Sequence, residues 1–346
     1  MGTSFSLSQL GWKPFFQQQL HFDELSLFRP ARIFEQHRSE YLLASEQGLE
    51  RLAITPNMPK MAVGDWLLLE QRQFVRQLEP TTLFRRKAVG SRAELQLIAA
   101  NVDTLFLVCS VNYDFKLSRI ERYLALAHEV KVAPVVVLTK VDQCESAESY
   151  IEQVQQLDPM LLVEAVNALD AQQVSQLESY CGEGQTVAFM GSSGVGKSTL
   201  INTLLGEPTS LTASIRENDS KGRHTTTARS MHIMRRGGLL LDTPGMRELQ
   251  LSDCEEGVKA TFNDIVELAA QCKFADCQHE REPGCKVRLA IEQGQFSERR
   301  LSNYRKLMRE QQFNAASIAQ RRANDRDFGR MVKSTLAGSR KRKSQY

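Results

Sequence analysis

Gly191-Ser192-Ser193-Gly194-Val195-Gly196-Lys197-Ser198-Thr199 follows the apolar run Thr186-Val187-Ala188-Phe189-Met190 and precedes Leu200, Ile201, Leu204 and Leu205 at helical spacing. Strand, glycine-rich turn, Gly-Lys-Ser and helix make up the context that a phosphate-binding loop requires. The glycines let successive backbone N–H groups turn inward onto phosphate oxygens, and the helix N-terminus adds partial positive charge. Lys197 is expected to reach the β- and γ-phosphates, and Ser198 to ligate Mg²⁺.

Working outward, two further motifs follow apolar strands. Downstream, Asp242-Thr243-Pro244-Gly245 follows Leu239-Leu240-Leu241. A carboxylate there can hold Mg²⁺ through a water, and Gly245 can donate its N–H to the γ-phosphate. Upstream, Thr139-Lys140-Val141-Asp142 follows Val135-Val136-Val137-Leu138. A carboxylate at Asp142 can accept from both N1–H and N2–H₂ of guanine, a pair of donors that adenine lacks. The Lys140 stem can lie over the base. Thr139 stands where Asn is commoner, which predicts a weakened supporting contact. Val166-Asn167-Ala168, after the next strand, reads as a degenerate loop supporting the guanine carbonyl. Base motifs therefore precede phosphate motifs, the reverse of the usual GTPase order. A circular permutation gives the same sheet with different chain ends.

From about Ala99 to Leu251, apolar runs alternate with helical patterns such as 117–130 and 147–157. That alternation predicts a mainly parallel sheet covered by helices on both faces. Before it, about five short alternating stretches lie between Ala31 and Leu78, separated by turn-formers such as Gln47-Gly48 and Val63-Gly64-Asp65. They predict a small β-barrel, of which the OB-fold is one kind. The first thirty residues are polar and Gln-rich and read as a loosely held arm. The expected divisions are residues 1–30, 31–92, 93–252 and 253–346, the last a helical metal-binding unit with a basic tail.

Cys272, Cys277, His279 and Cys285 lie within fourteen residues. Three thiolates and an imidazole suit tetrahedral Zn²⁺, and four protein ligands leave no open position, so the expected site is structural. A long polar helix is expected from about 297 to 322. From Lys286 onward there are 16 Lys/Arg against 5 Asp/Glu, while the rest of the chain carries 28 against 36. Arg299, Arg300, Arg305, Lys306, Arg309, Arg321, Arg322 and the run 340–343 read as a surface for RNA phosphates. No run is apolar enough to span a bilayer, and the N-terminus lacks the layout of a secretory signal. The expectations are a cytoplasmic monomer without membrane contact.

The chain resembles the circularly permuted GTPases of the ribosome small-subunit-dependent GTPase A family (RsgA/YjeQ). The resemblance rests on Val63-Gly64-Asp65, Ala100-Asn101-Val102-Asp103, the permuted motifs, Gly222-Arg223-His224-Thr225-Thr226-Thr227 and the Cys/His knot. It implies an N-terminal OB-fold, a permuted G domain and a zinc domain. It also implies a role in late maturation of the small ribosomal subunit, with rRNA contact and hydrolysis stimulated by the subunit. Many GTPases orient the attacking water with Gln directly after Asp-x-x-Gly; here that position is Met246. His224 is the candidate catalytic group beside Lys197, and Thr225 or Thr226 would supply the switch I hydroxyl to Mg²⁺. Competing readings are a large-subunit assembly GTPase, a nucleotide-binding RNA scaffold without turnover, and an ATP-using kinase. Asp142 disfavours the last.

Overall fold

Alternation of apolar and polar residues near the N-terminus produces five short strands: β1 (Arg29–Gln36), β2 (Glu40–Ser45), β3 (Gly48–Ala53), β4 (Trp66–Glu70) and β5 (Gln73–Gln77). The computed structural model describes residues 4–87, 95–112, 114–206, 229–242 and 254–312. All pairings among the five strands are antiparallel, in the order β3-β2-β1-β4-β5. The strand β1 is the hub. It carries a bulge between Ile33 and Glu35, which bends it and increases local twist. The curl encloses Ile33, Leu43, Trp66, Leu67 and Leu68, all fully buried.

The N-terminal residues depart from the loose arm expected of them. Phe5, Leu10 and Phe16 are buried, and two helical turns, α1 (Pro14–Gln17) and α2 (Glu24–Leu27), lie along the barrel. The Trp12 ring meets Trp66 edge-on at 4.9 Å, with Phe16 5.9 Å from the same indole. Gln9, Gln17 and Gln18, which made this segment look unanchored, are exposed, while Trp12 and Phe16 between them pack on Trp66.

Beyond the barrel, β6 (Leu83–Lys87) and β7 (Leu95–Ala100) pair antiparallel as a separate two-stranded ribbon. The division expected at 92/93 falls inside this ribbon.

The α/β region contains β8 (Thr104–Ser110), β9 (Ala133–Thr139), β10 (Leu162–Val166), β11 (Thr186–Gly191), β12 (Arg229–Ile233) and β13 (Leu239–Asp242). The order β10-β9-β8-β11-β13 is parallel throughout. Successive strands step one way from β8 and the other way from β11. The reversal between β8 and β11 opens a crevice at the strands' carboxyl ends, where open α/β sheets bind ligands. Helices α3 (Leu117–Glu129), α4 (Glu148–Gln155), α5 (Ala171–Val174) and α6 (Lys197–Leu205) cover the sheet. The antiparallel β12 was not foreseen; it pairs with β13 and also with β1, so barrel and α/β sheet are hydrogen-bonded into one surface.

A single buried guanidinium reinforces that junction. Arg32 is 1% exposed and donates to Gly64 O, Leu10 O, Asn101 O and Thr186 Oγ1 at 2.7 to 3.1 Å. Burial pulls its pKa down to about 10.

The C-terminal unit comprises α7 (Glu255–Thr261), α8 (Asn263–Ala269), α9 (Lys286–Glu292) and α10 over 298–312. It docks on α3. Gly257 approaches the helix so closely that a Cβ there would lie 2.1 Å from Ala125 O. Glu121, fully buried, accepts from Arg299 at 2.8 and 3.0 Å, Arg300 at 3.1 Å and Asn303 at 2.5 Å. Arg300 also binds Asp264 through two nitrogens at 2.8 and 2.9 Å. Arg300 is thus fastened inside the protein and removed from the RNA surface assigned to it by composition, while Arg299 stays exposed with its guanidinium tied to Glu121. The terminal basic residues, Arg321 onward, lie outside the described residues.

Candidate nucleotide site and metal centre

The phosphate loop leaves β11 at Gly191, beside β8. A Cβ at Gly191 would meet Val108 O at 2.3 Å, so only glycine lets the loop start this close to the neighbouring strand. Gly196 takes φ +95°, which favours glycine, and immediately precedes α6. Val195 is buried beneath the loop, while Ser193, Gly194 and Ser198 are exposed along the crevice and Ser192 and Thr199 are half-buried. The Lys197 ammonium is drawn in over the loop and donates to Gly191 O at 2.8 Å and to Ser192 O. These contacts hold the lysine over the cradle that its motif assigns to phosphate.

The base motif reaches the same edge from β9. Thr139 ends that strand, fully buried, and its hydroxyl lies 2.6 Å from Val195 O and 3.3 Å from Cys109 O. Thr139 thus makes a direct tie between the base motif and the phosphate loop. Lys140 adopts φ +61°, a left-handed conformation rare for a long side chain and common at ligand sites. It redirects the chain into a 3₁₀ turn, Val141–Gln143, which leaves Asp142 exposed.

The third segment closes the set. Asn167 Oδ1 accepts from Leu169 N at 3.0 Å, and Gln173 Oε1 accepts from Asn167 N at 2.8 Å, fixing the loop after β10. Ala168 O accepts from Thr203 Oγ1 of α6 at 3.0 Å. A Cβ at Gly196 would lie 3.7 Å from Thr139 Oγ1 and 3.8 Å from Ala168 Cβ. Three segments separated along the chain thus converge within van der Waals range. Asp242 ends β13 on the same edge and is exposed. The supporting residues Gln173 and Thr203 were not picked out from sequence, because each acts through a contact to a distant backbone atom. His224, Thr225, Thr226, Gly245 and Met246 lie outside the described residues.

The four metal-ligand candidates come together in the C-terminal unit. One donor atom from each of Cys272, Cys277, His279 and Cys285 lies within 4.8 Å of all the others. Cys272 Sγ to Cys285 Sγ is 3.8 Å, and His279 Nδ1 stands 3.6 and 3.5 Å from those two sulfurs. Zinc bond lengths of about 2.3 Å to sulfur and about 2.0 Å to nitrogen, set at tetrahedral angles, place ligands about 3.8 and about 3.5 Å apart. The spacing fits one tetrahedral ion. Burial and the adjacent sulfurs push the Cys277 thiol up to about 11, an electrostatic cost that a dication reverses. Backbone N–H groups serve the sulfurs as well: Arg288 N donates to Cys285 Sγ at 3.4 Å at the start of α9. Glu282, unremarked in sequence, gathers the Gln278, Glu280 and Arg281 N–H groups at 2.8 to 3.0 Å and shapes the loop between ligands. Its own backbone N–H and those donors hold its carboxyl down to about 2.

Known proteins are similar to this chain. A family model for the RsgA GTPase matches residues 78–252. A Vibrio parahaemolyticus protein named small ribosomal subunit biogenesis GTPase RsgA 2 is 56% identical, covering 100% of this chain and 97% of its own length. A Mesorhizobium japonicum protein named small ribosomal subunit biogenesis GTPase RsgA is 47% identical over 90% of this chain and 92% of its own. The crystal structure of YjeQ from Thermotoga maritima superposes with a TM-score of 0.63 at 26% identity, covering 82% of this chain and 98% of that one. YloQ, described as a circularly permuted GTPase, shares the fold with a TM-score of 0.59, covering 84% of this chain and 97% of its own. Permuted motifs meeting at one sheet edge, a Cys/His cluster and full-length relatives agree: the chain belongs to the RsgA GTPase family.

Proposed function

We propose that this protein hydrolyses GTP to GDP and phosphate in late maturation of the small ribosomal subunit, and that the subunit stimulates turnover. The observation that carries the reading is the meeting of Thr139, Ala168 and Gly196 at one point of the sheet edge, which joins a guanine motif to a phosphate loop. Asp142 and Lys140 bind the base, with Asn167 and Ala168 backing its carbonyl. The loop from Gly191 to Thr199 cradles the phosphates, with Lys197 on the β- and γ-phosphates. Mg²⁺ is held by Ser198, by Thr225 or Thr226, and through water by Asp242; Gly245 donates to the γ-phosphate. His224 positions the attacking water in place of the missing glutamine.

Zinc occupies the Cys272, Cys277, His279 and Cys285 cluster in a structural role. The barrel, which we assign to the OB class, and the basic C-terminal residues together grip rRNA. The protein works as a cytoplasmic monomer; no helix among the described residues is long and apolar enough to cross a membrane.

The test is cosedimentation with separated ribosomal subunits in the presence of a GTP analogue. Retention on small subunits that weakens steeply with salt is expected. Equal retention on large subunits would overturn the assignment. His224→Ala is expected to abolish subunit-stimulated turnover while leaving nucleotide affinity within a factor of about three; unchanged stimulated turnover would remove His224 from the mechanism.

A further inference from the structure

The backbone ladder that joins the barrel to the α/β sheet runs through β12. Its register forms one continuous row. Glu35 of β1 pairs with Ser230 of β12, and Ser230 pairs with Asp242 of β13. The barrel strand is therefore two ladder steps from the carboxylate that the Asp-x-x-Gly motif assigns to Mg²⁺. The contact between β1 and β12 is short, only two residue pairs, Glu35↔Ser230 and Gln36↔Arg229. Two pairs make a weak ladder unless side chains reinforce it.

Arg229 supplies that reinforcement. It is the first residue of β12 and half-buried, and its Nη1 donates to Leu97 O of β7 and to Gln36 Oε1 of β1 at 3.3 Å. One guanidinium thus staples β12 to the barrel and to the β6–β7 ribbon at once. It also stands two residues after Thr227 in the sequence. Hydrogen bonds from a charged donor are about twice as strong as neutral ones, which suits a single side chain that must hold a short ladder.

We infer that Arg229 is a positioning residue for GTP hydrolysis: by clamping β12 to the barrel it sets the placement of Asp242 and makes Mg²⁺ binding depend on the barrel's seat. This rests on the reading of Asp242 as the Mg²⁺ carboxylate. Arg229 itself touches neither nucleotide nor metal. A residue that only held the fold together would change stability and leave the metal dependence of nucleotide binding alone.

The experiment uses the full chain and compares wild type with Arg229→Met, Arg229→Lys and Gln36→Ala. A fluorescent non-hydrolysable GTP analogue is titrated at fixed concentration with Mg²⁺, and fluorescent GDP is titrated in EDTA. Arg229→Met is expected to raise the half-saturating Mg²⁺ concentration about threefold to tenfold, with GDP affinity in EDTA within about twofold of wild type. Arg229→Lys and Gln36→Ala should fall between, and they keep the test valid should the methionine variant fold poorly. Unchanged Mg²⁺ dependence in all three variants overturns the inference. So does an equal loss of GDP affinity in EDTA, which would mean that Arg229 acts on the phosphate loop or on folding at large. Should the wild type itself bind the analogue without regard to Mg²⁺, the reading of Asp242 fails first and carries the inference with it.

Discussion

Thr139 has one hydroxyl proton and two carbonyls within reach, Val195 O at 2.6 Å and Cys109 O at 3.3 Å. The shorter contact ties the guanine motif to the loop that must wrap phosphate. Thr139→Val keeps the shape and deletes the donor, leaving a buried carbonyl short of a partner. The expected loss is about 1 kcal/mol, or a fivefold to tenfold weaker guanine nucleotide affinity by fluorescence titration. An unchanged affinity would show that the tie is incidental. Asp65 offers a second residue-scale case. Its side chain is fully buried, and burial raises its pKa from 3.8 to about 6, with Ala62 N–H, Gln77 and Arg32 partly opposing. The folded state therefore holds this proton more tightly than the unfolded state. Stability that is present below pH 3.8 is lost as pH rises through about 6, by at most about 3 kcal/mol. Trp12 and Trp66, the chain's two tryptophans, pack together in the barrel, so intrinsic fluorescence reports that region. Denaturant titrations followed this way should show Asp65→Asn flattening the decline between pH 4.5 and 7. At this scale the sequence makes the phosphate loop legible, since Gly-Lys-Ser after a strand carries its own geometry. The tie from Thr139 to Val195 was not foreseen because the two lie fifty-six residues apart.

Among the elements, α3 bears the C-terminal unit, and the buried Glu121 is its anchor. Removing that carboxylate leaves Arg300, 4% exposed, with part of its charge uncompensated. Breaking such a buried cluster costs about 3–5 kcal/mol. Glu121→Ala should release the 254–312 region, seen as faster amide exchange there with α/β exchange little changed; a uniform response across the chain would contradict a local anchor. The Cys/His loop is a separate element with little apolar core of its own. Elemental analysis should find one zinc per wild-type chain and well below stoichiometry in Cys277→Ser, with α9 losing protection in the variant. Full zinc retention would place the metal elsewhere. Helix α3 and the parallel strands were readable because their apolar periodicity is strong. The β12 strand was not: it is five residues long, and four of them are only half-buried. Arg300 looked like surface charge because composition gives no sign of a buried acid 179 residues earlier in the chain.

At the scale of the whole molecule, the permutation determines what the nucleotide site can move. Barrel and G domain share a ladder through β1 and β12, and the C-terminal unit is locked to α3, so both flanking units are fastened to the sheet that holds the site. A partner gripping barrel and C-terminal unit together would act on that sheet from both sides. The order of motifs made the permutation legible in the sequence; the two fastenings were not, because a two-pair ladder and a buried cluster around Glu121 both join residues far apart in the chain. The most direct measurement is GTP turnover by the full chain, alone and with purified small subunits, large subunits or ATP as the competing substrate. Slow intrinsic hydrolysis, raised at least tenfold by small subunits alone, unaffected by excess ATP and abolished by Lys197→Ala, is the predicted result. Turnover that small subunits leave unchanged, or that large subunits raise equally, would contradict the account.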